Sequence, residues 1–150
     1  MHHIFEPGRR FALVLYSALV APLAACAVGP EPLSSTSAGL NCVDDSSHCV
    51  SERQSALRQL VADKEHKWVR EPATPQAYAS GVRLFAYKQT KRELSCEDLD
   101  HGRKEAEGAP ASLKAAGTTL TPQQISRGTL LAGEVSRELA NELKKRCKRG

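Results

Sequence analysis

Polar and apolar positions divide the chain into an uncharged run, an aperiodic stretch and a series of helical stripes. Residues 11–25 carry no charge and end at Cys26. Residues 27–40 are rich in Gly, Pro, Ser and Thr and show no apolar period, which reads as a flexible connector. Beyond it, Leu57, Leu60, Val61, Lys64 and Trp68 recur at the three-and-four spacing of one helix face. The predicted helix starts at Ser51, with Gln54 completing a capping box and Asp44 and Asp45 near its positive end, and runs to about residue 67.

Thr74 and Pro75 then give a start signal, a threonine cap followed by proline at the first helical position. Tyr78, Val82, Phe85, Ala86 and Gln89 share the face of a second helix reaching Arg92, with Gly81 in its interior. An interior glycine costs up to about 1 kcal/mol against alanine, so Gly81 points to a close helix contact. Ser95 with Asp98 opens a third helix whose stripe is thin: Cys96, Leu99 and Ala106, with Gly102 weakening it. Residues 108–120 read as a loop. Thr121, Pro122 and Gln124 start the longest helix, with Ile125, Gly128, Ala132, Val135, Leu139, Leu143 and Cys147 along one side. No segment alternates as a strand does. The expected class is all-α: a small antiparallel bundle of about four helices over residues 42–150, in up-down order.

Arg9 and Arg10 precede the uncharged run, so the first 25 residues have the charged and apolar parts of a secretory signal. Crossing a bilayer takes about 20 apolar residues, and this run has fifteen, with Pro22 near its end. Leu23, Ala24, Ala25 and Cys26 close it: an aliphatic residue, two small ones, then cysteine. This stretch resembles the lipobox of bacterial lipoprotein precursors, cut by signal peptidase II. The resemblance implies that residues 1–25 are removed and that Cys26 carries diacylglyceryl and palmitate-type chains. It also implies a place in the cell envelope, with residues 26–41 as lipidated cysteine and tether. The tether's fourteen residues after Cys26 reach roughly 20 Å. Ala27, rather than aspartate, after the cysteine points to the outer membrane, facing the periplasm, over inner-membrane retention. Beyond the lipobox, the chain looks like small Gram-negative envelope lipoproteins, a likeness that fixes location and not activity.

Removing residues 1–25 changes the charge little: 19 Lys+Arg against 16 Asp+Glu gives +3, from 21 and 17 in the whole chain. That mild balance argues against a nucleic-acid partner. Aromatic residues make up 5% of the chain, so the core has to be aliphatic and small, and covalent staples would help it. With Cys26 acylated, Cys42, Cys49, Cys96 and Cys147 remain, an even number in an oxidising compartment. Three pairings exist. Up-down order would gather Cys49, Cys96 and Cys147 at one end of the bundle, with Cys42 nearby. Consecutive antiparallel helices favour Cys96–Cys147 with Cys42–Cys49, and Cys49 joined to Cys96 stays open.

No catalytic motif is present, so the chain is not expected to be an enzyme, and no cofactor or metal is implied. The Cys42 to Cys49 spacing does not suit zinc. His48, His66 and His101 read as surface histidines, and Trp68 reads as a cap on the bundle core. The densest charge is Lys144, Lys145, Arg146, Lys148 and Arg149. Placed at the tether's end of the bundle, it would face lipid headgroups, at about 1 kcal/mol per cation near an anionic surface. The expected partners are the membrane, through the lipid anchor, and another envelope protein. The leading reading is a structural or accessory factor acting by contact. The alternative is a binder of small ligands or peptidoglycan fragments, using a groove near Trp68, Tyr78 and Tyr87.

Overall fold

A computed structural model describes residues 39–147. The signal segment 1–25, Cys26, all of the tether before residue 39, Lys148 and Arg149 lie outside the described residues. Within them the chain is all-helical, as expected, and no strand occurs. The elements are α1 (Ser47–Ala62), a short 3-10 helix (Lys67–Arg70), α2 (Pro75–Ala79), α3 (Val82–Thr90), α4 (Cys96–Ala115) and α5 (Pro122–Arg146). No helix among them is long and apolar enough to cross a membrane.

Three caps form where the sequence placed them. Thr74, Ser95 and Thr121 each accept the N–H three residues on, and Gln124 completes the capping box at Thr121. The expected cap of α1 is displaced: Ser46, not Ser51, accepts the N–H of Cys49 at 3.2 Å. Asp44 in turn accepts the N–H of Ser46 at 2.8 Å. At its other end α1 stops at Ala62, short of the expected residue 67. The Asp63 carboxylate takes the N–H groups of Glu65 and Lys67, and His66 turns left-handed at φ 50°.

The second expected helix is two helices. Gly81 sits at φ 79°, a conformation that glycine adopts without strain, and Ser80 Oγ receives the N–H of Val82 at 3.3 Å. Gly81 therefore breaks the helix as well as permitting a close neighbour. The third helix is longer than its thin stripe suggested and runs through Pro110 to Ala115. Leu99, Gly102, Ala106, Ala109 and Leu113 are all buried in it. This stripe buries α4 against its neighbours: Gly102 faces the Tyr87 ring and Leu113 reaches Gly128 of α5, where Ala132, Val135 and Leu139 are buried in turn. Packing makes this helix where propensity alone does not.

The pairs Cys42–Cys49 and Cys96–Cys147 form, with Cα atoms 5.2 and 5.8 Å apart. They do not share an end of the bundle. Val43 O accepts from Gln124 Nε2 at 3.1 Å, so the first disulfide lies beside the start of α5. Cys147 closes its finish, about 37 Å away for 25 residues at 1.5 Å each. The cause is the return path. Residues 63–81 carry the chain back along the bundle, so α3 starts at the same end as α1 rather than opposite it. Lys64 meets Glu93 at 3.0 Å, and Arg146 donates to the carbonyls of Lys91 and Leu94, both at 3.0 Å. Thus α1, α3 and α5 all finish together, with α4 antiparallel to α5.

A buried charged centre fixes the returning segment. Arg83 donates to Glu105 through Nε (2.5 Å) and Nη2 (2.8 Å). Its other hydrogen bonds reach the carbonyls of Trp68 (2.5 Å), Val69 (3.1 Å) and Glu71 (2.7 Å). Tyr87 donates to Glu105 Oε2 at 2.8 Å, and its ring meets Trp68 edge-on at 4.7 Å. Burial, with the Glu105 charge, pushes the Tyr87 hydroxyl pKa far up. Burial alone would lower the Arg83 pKa, but the hydrogen bonds and charge of Glu105 raise it.

Candidate functional groove

The aromatic groove expected near Trp68, Tyr78 and Tyr87 does not form. Trp68 is 3% exposed and Tyr87 fully buried, both in the core. Tyr78 alone of the three borders an open hollow, and its partners there were not foreseen. That hollow has a volume of 310 Å³ and is walled by Tyr78, Gly81, Phe85, Gly128 and Leu131, with Arg53 and Arg127 also lining it. A second, apolar hollow follows on the far side of Phe85, against Val50, Leu57 and Val82. Phe85, 43% exposed, is the ridge between them.

Local structure explains this exposure. Gly81 separates α2 from α3, and Phe85, one turn into α3, stands between Val50 and Leu57 of α1 and Gly128 and Leu131 of α5. A Cβ at Gly81 would come within 3.2 Å of Leu131 and 3.4 Å of Phe85, and one at Gly128 within 2.8 Å of Leu113 and 3.2 Å of the Tyr78 carbonyl. A side chain at either glycine would press on residues that line the hollow or lie behind it. Burial pushes the Tyr78 hydroxyl up to about 12, so it stays a neutral phenol in the physiological range.

Charge gathers at the rim. Arg53 donates to the carbonyls of Cys42 (3.2 Å) and Asp44, inside the loop that the Cys42–Cys49 disulfide closes. Arg127 Nη1 lies 3.0 and 3.2 Å from the two oxygens of Asp45, and Arg53 Nη2 is 3.6 Å from the first of them. Two guanidinium groups from different helices thus converge on one carboxylate. A hydrogen bond to Ser46, with its charged neighbours, lowers the Asp44 pKa.

The remaining predicted residues are dispersed. Lys144 and Lys145 are exposed at the end of α5, but Arg146 is tied to the carbonyls of Lys91 and Leu94 and pairs with Glu142 at 3.7 Å. The first described residue, Gly39, packs on Glu52 and Ala56, partway along α1. The basic cluster lies at the end of the bundle where α1 finishes, Gly39 lies midway along α1, and the tether before Gly39 is outside the described residues. His66 is buried rather than at the surface. Among the described residues no three His, Cys, Asp or Glu side chains converge as a metal site would require. The groove escaped the sequence because its walls come from α1, α2, α3 and α5, and because Phe85, placed by its spacing on the apolar face of the second expected helix, is 43% exposed.

Compared with known proteins, the chain matches no family model, no curated protein and no solved structure.

Proposed function

We propose that this chain is a lipid-anchored protein of the cell envelope, held by acyl chains on Cys26 and facing the periplasm from the outer membrane. It works by contact, as a structural or accessory factor, and not by turnover. The lipobox-like Leu23, Ala24, Ala25 and Cys26 support the anchor. So does the cysteine count, since the other four cysteines pair off as two disulfides. The observation that carries the contact reading is the exposed Phe85 ridge between an apolar hollow and a second one that Arg53 and Arg127 also line. An exposed aromatic in an apolar concavity is the kind of anchor point that partners use.

Affinity capture from native membranes tests this reading. The wild-type chain is expected to retain an envelope partner that Phe85→Ser loses, with helicity unchanged. An identical set of retained proteins for the two chains contradicts it.

The second reading, a small-ligand binder, is favoured by a different observation: the hollow is concave, of small-ligand size, and lined by two arginines beside Tyr78, Phe85 and Leu131. In that reading the site is the groove beside Phe85, not one built around Trp68.

A further inference from the structure

We infer that the hollow beside Phe85 binds an apolar monocarboxylate, and that Asp45 holds its anion position until such a ligand displaces it. The inference rests on the small-ligand reading above and names the ligand class.

The anion position is built before any ligand arrives. Arg53 is fixed by two carbonyls of the disulfide-closed loop, and both it and Arg127 line the hollow. The carboxylate they share comes from outside it: Asp45 sits on the loop before α1 and its side chain is 68% exposed. The Arg127–Asp45 pair is exposed at both ends, and the Arg53–Asp45 contact is long at 3.6 Å; exposed pairs are weak, so Asp45 leaves at little cost. A ligand carboxylate replaces it with the same charge, and planar guanidinium groups suit that geometry.

The body of the ligand follows from the walls. The N–H groups facing this corner are already used: Ser80 donates to Gln76, Gly81 to Tyr78, Val82 to the Ser80 hydroxyl and Phe85 to Gly81. The Ser80 hydroxyl itself donates to Ala77 O at 3.0 Å. A peptide laid here would find no free backbone N–H among these for its carbonyls, and a hydrogen bond left unmade is costly where water is excluded. A hydrocarbon or aromatic body meets Tyr78, Phe85 and Leu131 without that cost. The volume of 310 Å³ is at the small end for ligand pockets.

The test is titration of the full-length mature protein with 3-phenylpropanoate, 3-phenylpropanol and acetate, read by the amide resonances of Gly81 and Gly128. The acid is expected to shift both in a saturable way, and the alcohol and acetate to bind about tenfold more weakly or worse. Asp45→Asn should tighten binding of the acid by about three- to tenfold. Arg127→Gln should weaken it by about tenfold, and Arg127→Lys by less. Tighter binding on removing Asp45 is a result that a purely structural ion pair would not give. If the alcohol binds as well as the acid, the hollow takes ligands but the carboxylate inference is overturned. If neither shifts the two glycines, the small-ligand reading fails with it. Unchanged or weaker binding by Asp45→Asn overturns the role given to Asp45.

Discussion

Two glycines of α4 stand in opposite surroundings. A Cβ at Gly102 would lie 2.4 Å from the Tyr87 ring, whereas one at Gly108 meets nothing within 4 Å. Gly102→Ala is therefore expected to destabilise the fold by roughly 1–3 kcal/mol through overpacking, and Gly108→Ala to stabilise it by up to about 1 kcal/mol. Urea unfolding of the two variants checks both signs. Sequence reading put Gly102 down as a weakness of the helix, when it is the place where the Tyr87 ring passes. Arg83 and Glu105 were equally illegible, because charged residues on helices normally face water. Here they are 3% and 8% exposed, and the carbonyls that complete the arginine's bonding come from a segment with no regular period. Arg83→Met should cost about 3–5 kcal/mol, since it leaves Glu105 buried without its partner. Arg83→Met combined with Glu105→Leu should recover part of that loss in the same urea assay.

At the scale of elements, the caps of the second, third and last predicted helices were readable because a cap is local chemistry within four residues. The ends of α1 were not, since Ser46 and Asp63 win over the expected signals through loop contacts. The extension of α4 through Pro110 was hidden for another reason: its buried stripe is mostly Gly and Ala, which carry little hydrophobic signal. Between α3 and α5, Lys88 and Lys91 pair with Glu134 and Glu138. The hydrogen bond from Lys91, then that from Lys88, lowers the Glu138 pKa below its ordinary 4.5. A carboxylate with a lowered folded-state pKa stabilises above its unfolded value, and that stability is lost as pH falls through the folded value. Glu138→Gln should thus cost up to about 1 kcal/mol at neutral pH. Its difference from the wild type should close as pH drops below 4.5 in thermal unfolding.

For the whole molecule, the all-α class and the cysteine pairing were legible, but the placing of the two disulfides was not. The return of residues 63–81 reverses the second half of the bundle's order, and no periodicity announces it. The separation has a measurable effect. The Cys96–Cys147 bridge spans 51 positions and Cys42–Cys49 spans 7. Loop-closure entropy then gives about 4 kcal/mol for the first and about 2 kcal/mol for the second. Cys96→Ser should therefore lower stability more than Cys42→Ser in non-reducing urea titrations. Cys96 is exposed and Cys49 buried, so graded dithiothreitol is expected to open the long bridge first.

The most direct test of the account is the intact mass of the mature protein taken from cell membranes. The proposal expects a chain whose first residue is Cys26, increased by a diacylglyceryl group and further acyl mass. It should also be four hydrogens lighter than the reduced form, for two disulfides. A chain with an unmodified amino terminus would contradict the anchor, and with it the envelope setting in which the groove is proposed to work.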